Sequence, residues 1–195
     1  SSAASDVYKR QYESKIQLQN SEMRALQAQI NPHFLYNSLS IINWKAIEAG
    51  EDEISHVTLA LSTYYRTSLN RGETMTTVAK EIDNIRAYLK IQLVMHDNEF
   101  RVVEQISDGL NDYLIPKLIL QPLAENAIDH GIDVSDNENP TLWLTIREEA
   151  EHIFFEIRDN GAGMTQEKAD QILTYQSSGY GVRNVCDRIH VLYGE

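Results

Sequence analysis

The sequence has a single cysteine, Cys186, which excludes an internal disulfide and suits a reducing compartment. Basic residues are in deficit: 17 Lys and Arg stand against 29 Asp and Glu, for a net charge of −12. Nucleic-acid backbones select basic surfaces, so nucleic acid is not expected as a partner. No apolar run approaches the ~20 residues that cross a bilayer, and no signal-peptide pattern is present. The six histidines show no metal-ligand spacing with one another or with Cys186, which argues against a zinc centre. Internal repeats and low-complexity segments are absent. A length of 195 residues allows one large or two small domains.

The first stretch, Ser1-Ser2-Ala3-Ala4-Ser5-Asp6-Val7-Tyr8-Lys9-Arg10-Gln11, is similar to an in-frame translation of a common transposase-type sequencing adapter. Residues 1–11 are therefore expected to be non-native and are set aside from the fold.

From Tyr12 the pattern is helical. Tyr12, Ile16, Gln19, Met23, Leu26 and Ile30 form a heptad seam, and Leu35, Leu39, Ile42, Ala46 and Ala49 form another. The step from Ile30 to Leu35 breaks the phase at Asn31-Pro32. His33 precedes Leu35 by two positions, about 200° round a helix at roughly 100° per residue. His33 and Asn37, one turn apart, thus share the face opposite the second seam. A lone histidine in an amphipathic helix is most often a filler, but one held off the seam is free for chemistry. Its neutral ring is a nucleophile, and its charge changes near neutral pH.

Gly50 is a C-cap candidate, and Glu51-Asp52 suit the start of a second helix over Glu53–Leu69, with Ile54, Val57, Leu61, Tyr64 or Tyr65, and Ser68 on one side. Asn70-Arg71-Gly72 ends it. A two-helix hairpin has little core of its own and is expected to dimerise into a four-helix bundle. Thr76 or Thr77 caps a third helix over Val78–Met95. Phe100–Ile106 reads as a strand and Ser107-Asp108-Gly109 as a turn. Pro116 suits the start of an apolar helix over Lys117–His130 that Gly131 ends. Thr141–Arg147 and His152–Arg158 read as a hairpin across Glu148–Glu151. A glycine loop follows at Asp159–Met164, then helices over Gln166–Leu173 and Val182–Leu192. The fold class is α+β, an all-α half followed by an α+β half, with the boundary between Gly72 and Thr77.

Three stretches of the second half carry chemistry. Gln121–Gly131 sets polar residues on one side of a helix, where the Asn126 amide oxygen is a hard ligand suited to Mg²⁺. Asp159-Asn160-Gly161-Ala162-Gly163-Met164 follows a strand, so Asp159 can accept a hydrogen bond from an exocyclic amine while the glycines admit a flat ring. Gly179-Tyr180-Gly181 precedes a helix, whose first amides suit an anion. Each is ordinary alone; their order and spacing are not.

With these residues in view, Asn31-Pro32-His33-Phe34-Leu35-Tyr36-Asn37 resembles the phosphoacceptor box of LytS/YesM-type sensor histidine kinases. Glu125-Asn126-Ala127-Ile128-Asp129-His130-Gly131 resembles that family's N box, Asp159–Met164 its first glycine box, and Gly179–Val182 with Asn184 and Arg188 its second. Helix three and Ile115–Pro122 follow the family pattern as well, so the resemblance runs from about Gln27 to Glu195. It implies a dimerisation and phosphotransfer hairpin over residues 12–76 and a Bergerat-type ATP-binding α/β sandwich over 77–195, the latter expected to lack its final strands.

The implied activity is ATP-dependent autophosphorylation of His33 and transfer to an aspartate of a response regulator. The implied surroundings are a homodimer and the cytoplasmic portion of an inner- or plasma-membrane receptor, joined to the membrane by segments absent from this chain. By the same resemblance Asn126 holds Mg²⁺, Asp159 reads adenine, Gly161 and Gly163 with His130 shape the ATP pocket, residues 165–178 form a lid, and Gly179 and Gly181 meet the phosphates. Phe34 follows the phosphoacceptor where many other kinases have an acid, so Glu125 is the candidate general base. Pro122 stands where hydrolysing relatives carry a water-activating glutamate, which favours phosphotransfer. Tyr180 and Val182 replace the family's Ile and Leu. The alternatives are a dimeric scaffold or pseudokinase of the same fold, and a Bergerat-type ATPase or chaperone.

Overall fold

The computed structural model describes residues 31–69, 73–172 and 180–193. The adapter-like stretch, the heptad seam from Tyr12 to Ile30, the turn at Asn70–Gly72, residues 173–178 of the expected lid and Gly179 lie outside the described residues.

The phase break at Asn31-Pro32 is a helix start. The Asn31 side-chain oxygen accepts from the amides of His33 (3.1 Å) and Phe34 (3.2 Å), and Pro32 occupies the first turn, where its missing N–H is not needed. Helix α1 then runs Pro32–Ala49 and ends on Gly50 in the left-handed region (φ 73°). Helix α2, Asp52–Ser68, opens with Asp52 and Glu53, whose charges suit its positive end. The two pack as a hairpin through small residues. Leu39 and Ala46 of α1 and Ser55, Thr58 and Ala60 of α2 are buried, and Ser55 donates to Asn43 Oδ1 (2.7 Å).

The hairpin covers only part of each apolar seam. Ile42 and Ile54 are 47% and 49% exposed, Ala49 is exposed, and Ile41, Trp44, Ile47 and Leu59 are exposed too. An apolar stripe wider than one helix contact leaves a second face over when the hairpin has covered the first.

Strand β1 (Met75–Thr77) leads into helix α3 (Val78–Met95), whose N-cap is Thr77, its hydroxyl accepting from Lys80 N. Strand β2 (Arg101–Ile106) pairs in parallel with β4 (Thr141–Glu149), which pairs antiparallel with β5 (His152–Asp159), in the order β2-β4-β5. Leu142, Leu144 and Ile146 alternate along central β4 with no exposed surface, and α3, helix α4 (Gln121–Ala127) and Val185 of the last helix complete the core over them. The β4–β5 turn is tighter than the four residues expected, because Ala150 and Glu151 both take left-handed backbone (φ 47° and 69°). Strand β3 (Leu114–Pro116) pairs with β1 in a separate two-stranded ribbon that the sequence did not announce.

The expected helix over Lys117–His130 is corrected. Helix α4 covers Gln121–Ala127 only, and a π-helical turn, Ile128–Ile132, takes in Gly131 rather than stopping at it. Residues 117–120 are held irregular by a distant carboxylate, Glu81, which accepts from the amides of Leu118, Ile119 and Leu120, with Leu118 left-handed (φ 55°). Proline at the second helical position suits the later start. Helix α5 is Gln166–Ile172; α6 is Tyr180–Tyr193, two residues earlier than expected, so Gly181 lies inside its first turn. Among the described residues no helix is long and apolar enough to cross a membrane.

Candidate nucleotide site and phosphoacceptor

Asp159 is the last residue of β5, in register with Leu142, and the chain turns immediately after it. Its Oδ1 accepts from Gly161 N (2.9 Å), which folds the loop back over the carboxylate and leaves it further acceptor capacity. Gly131 lies against the same group: a Cβ there would collide with the Asp159 carboxylate, and a Cβ on Gly161 would collide with the Gly131 carbonyl. Ala162 N donates to that carbonyl (3.0 Å). The π-turn and the glycine loop are thus locked together around one carboxylate, with bare backbone on both sides of it. Gly163 differs, with open space around it and a left-handed φ of 67°.

Asn160 belongs to the scaffold. Its Oδ1 accepts from Thr141 N (2.7 Å), its Nδ2 donates to Asn139 O, and its own carbonyl accepts from Asn137 Nδ2. These bonds pin the loop to the start of β4, a role the sequence reading missed; Asn is a turn former whose side chain satisfies nearby backbone.

Helix α4 carries Glu125 and Asn126 side by side in sequence but on different aspects of the helix, about 100° apart. Both are half-buried. Glu125 accepts from Gln121 Nε2 (2.8 Å), which also donates to the Tyr64 hydroxyl on α2 (3.1 Å). With Asp129, Tyr88 and Leu61 these residues line a cleft of about 370 Å³ between α2, α3 and α4. Burial pushes the Tyr88 phenol well above its ordinary value, and the charges of Glu125 and Asp129 push it further. Glu125 therefore faces the hairpin side of α4. His130 is exposed on the π-turn.

Gly181 of α6 sits against the start of α4, where a Cβ would lie 3.2 Å from Pro122 Cβ. Further along α6, Arg188 donates to Lys117 O (2.7 Å) and Leu118 O (2.8 Å). Burial raises the Glu81 carboxyl above its ordinary value despite the three amides it accepts from, and burial lowers both Lys117 and Arg188. The sequence marked Arg188 and Lys117 only by family pattern and did not mark Glu81.

His33 is exposed in the first turn of α1, its Nδ1 paired with Asn37 Nδ2 at 3.3 Å, as one helical turn allows. That contact occupies Nδ1 and leaves Nε2 without a hydrogen bond among the described residues. The structure brings Gly131, Asp159 and Gly161 together and sets Gly181 against α4; it does not join His33 or Asn37 to them by any hydrogen bond among the described residues. Nor do the described residues contain a cluster of His, Cys, Asp or Glu that would cage a metal. The donor chemistry at Asn126 fits an ion carried in on phosphates, since Mg²⁺ retains waters and takes few protein ligands.

Two adjoining family matches cover this architecture. Residues 21–100 match the family described as "Histidine kinase", and residues 111–194 the "Histidine kinase-, DNA gyrase B-, and HSP90-like ATPase" family. The chain is 36% identical over 188 residues to sensor histidine kinase YesM of Bacillus subtilis, covering 94% of this chain and 31% of that protein. It is 34% identical over 186 residues to sensor histidine kinase BtsS of Escherichia coli, covering 95% and 32%. With sensor protein LytS of Bacillus cereus it shares 29% over 186 residues, covering 91% and 31%. The chain thus spans about a third of the length of these relatives. A solved histidine kinase domain from Erythrobacter litoralis gives a TM-score of 0.46 at 16% identity, covering 88% of this chain and 83% of that one, too loose a likeness to argue from. With both halves matched in order, the chain belongs to the sensor histidine kinase family of the LytS and YesM type.

Proposed function

We propose that this chain binds ATP at the Asp159 loop, phosphorylates itself on His33, and passes the phosphoryl group to an aspartate of a response regulator. The observation that carries the reading is the Gly131–Asp159–Gly161 contact, in which two glycines clear space around one carboxylate. A purine amine can donate to Asp159 while its ring lies on bare backbone, with Gly163 and exposed His130 at the margins. Asn126 would hold Mg²⁺ together with the nucleotide phosphates. That ion, when bound, would offset charge on the phosphates. Gly181, in the first turn of α6, lies where amides can meet phosphate oxygens, and Gly179, outside the described residues, is assigned with it.

In the transfer step the ring carries its proton on Nδ1, donated to the Asn37 amide with its oxygen turned toward the ring, so the lone pair of His33 Nε2 forms a bond to the γ-phosphorus as the bond from that phosphorus to the β,γ-bridging oxygen breaks, and ADP leaves. Asn37 keeps the ring from rotating. The ring proton goes to a carboxylate, for which we propose Glu125, since it lines the face of α4 that looks toward the hairpin. The exchange with the regulator then breaks the P–N bond and forms a P–O bond on its aspartate. Residues 12–76 and 77–195 act as the phosphotransfer and ATP-binding parts of a homodimer, paired through the exposed stripe of α1 and α2. We assign the chain to the cytoplasmic side of a membrane receptor, the relatives being named sensors.

The test is incubation of the 195-residue chain with γ-labelled ATP and Mg²⁺, beside His33→Gln and Asp159→Asn. Acid-labile label on the unmutated chain alone is expected. ATP binding without label would make the chain a scaffold, and phosphate release without labelled protein would make it an ATPase.

A further inference from the structure

The segment between β3 and α4 belongs to no helix or sheet ladder, yet Ile119 and Leu120 are 8% and 0% exposed. Buried backbone needs partners, and side chains supply them. Glu81 of α3, itself 2% exposed, accepts from Leu118 N (2.9 Å), Ile119 N (2.7 Å) and Leu120 N (3.0 Å). Arg188 of α6 takes the carbonyls of Lys117 and Leu118 from the other side. The Lys117 ammonium, buried, reaches across to the Ser68 carbonyl at the last turn of α2 (2.8 Å). One turn of α3 beyond Glu81, Asn84 donates to Thr67 Oγ1 (2.8 Å) and Ser68 Oγ (2.9 Å) at the same helix end.

Four elements meet here. The segment's last residue is followed by α4, with Asn126; Arg188 lies on α6, which starts at the second glycine box; and α2 ends beside the start of its antiparallel neighbour α1, where His33 sits. Apolar side chains could glue these elements together at least as well, because buried ions gain little net stability. What charged, bidentate contacts add is one defined register.

We propose that residues 117–120 are a clasp that relays nucleotide occupancy from the ATP-binding part to the end of the hairpin bearing His33, with Arg188 and Lys117 as its positioning residues. Arg188 fixes the clasp to α6, and Lys117 fixes it to α2. A shift of α6 upon nucleotide binding moves two carbonyls it holds, and the lysine of the same segment carries the shift to α2. The inference rests on the ATP-dependent phosphorylation of His33 proposed above.

Hydrogen exchange on the whole chain, with and without a non-hydrolysable ATP analogue and Mg²⁺, reads the relay directly. Nucleotide is expected to change protection at residues 64–69 of the unmutated chain, and Lys117→Met is expected to abolish that change while its affinity for the analogue stays within about threefold. At saturating ATP, Lys117→Met should label His33 about tenfold more slowly with an unaltered KM, whereas a merely structural lysine would lower stability without this split. Arg188→Lys, which keeps charge but loses the two-pronged grip, should blunt the same protection change. Should the arginine variant unfold, Lys117→Met still decides, because it leaves Glu81 and Arg188 their contacts. Nucleotide binding and His33 labelling with no protection change at 64–69, or a full change in Lys117→Met, overturns the clasp alone. Absence of nucleotide binding in the unmutated chain overturns the proposed function and the clasp with it.

Discussion

Two glycines of one loop should respond differently to the same methyl group. At Gly161 an alanine Cβ would overlap the carbon, oxygen and Cα of Gly131. Those are backbone atoms held in the π-turn, which is closed by Asp133 N donating to Ile128 O (2.9 Å). Neither side can yield cheaply, so the loop must move away, giving up the Ala162–Gly131 bond and the Gly161–Asp159 bond. One is neutral and one involves a carboxylate, which together amount to about 2–4 kcal/mol. At about 1.4 kcal/mol per decade, ATP affinity should fall about 30- to 1,000-fold, since nucleotide must restore the loop or do without it. At Gly163 nothing stands within 4 Å of the new methyl, and the obstacle is the left-handed φ of 67°. That strain, about 1–2 kcal/mol, is present with and without nucleotide. Gly163→Ala should therefore lower the melting temperature by several degrees (about 2–4 °C per kcal/mol at this size) yet change affinity less than about threefold. Calorimetric titration of ATP into each variant, with a thermal melt alongside, separates the two. Equal affinity losses at both glycines, or a Gly161→Ala variant that binds within about threefold of the unmutated chain, would refute the locked-loop account.

Three further outcomes are expected. Glu125→Gln should slow His33 labelling by about 100-fold or more with little change in ATP affinity, in line with loss of a positioned base; an unaltered rate would remove Glu125 from the mechanism. His96 couples the end of α3 to Asp133 (3.1 Å): burial opposes its charged form, but the Gln92 carbonyl and the Asp133 carboxylate outweigh burial and raise it above 6.5. Its stabilising contribution is thus fully present below 6.5 and lost as pH rises through the raised value. The melting-temperature gap between the unmutated chain and His96→Gln should shrink from about pH 6 to about pH 9, and a gap that widens would reverse the sign. Ile47→Glu lies on the exposed stripe, so it should leave the chain folded while weakening self-association more than about 100-fold, as two lost apolar contacts of about 1.5–3 kcal/mol imply. Light scattering at graded concentrations would read this, and an unshifted mass distribution would place the dimer face elsewhere.

What could be read from the sequence follows how far apart the deciding atoms lie. The start of α1 is set by Asn31 and Pro32, within three residues of His33, so the break in apolar phase located it. The loop at Asp159 is likewise local, closed by a bond across two residues. By contrast, residues 117–120 look helical from their own composition and are held out of a helix by Glu81, 37 residues earlier in the chain. Nothing local signals that. The ribbon of β1 and β3 escaped notice for a related reason, since three-residue strands are too short to show an alternation. Apolar spacing along α1 and α2 marked helices correctly but could not say which seam residues the hairpin itself would cover, and Ile42 and Ile54 lie outward.

Glu125 shows how neighbours in sequence separate in space. Beside Asn126 in the chain it reads as part of one polar cluster at the nucleotide. On a helix, however, consecutive residues point about 100° apart. Gln121, one turn earlier, captures Glu125 and hands the same amide to Tyr64 of α2, drawing the carboxylate toward the hairpin. Since α2 and α1 are antiparallel, Tyr64 lies in the half of α2 that accompanies the start of α1, where His33 is. That capture sets Glu125 on the hairpin side of α4, where we propose that it collects the His33 proton. It is this placement, more than proximity to Asn126, that makes Glu125 the acid to mutate first.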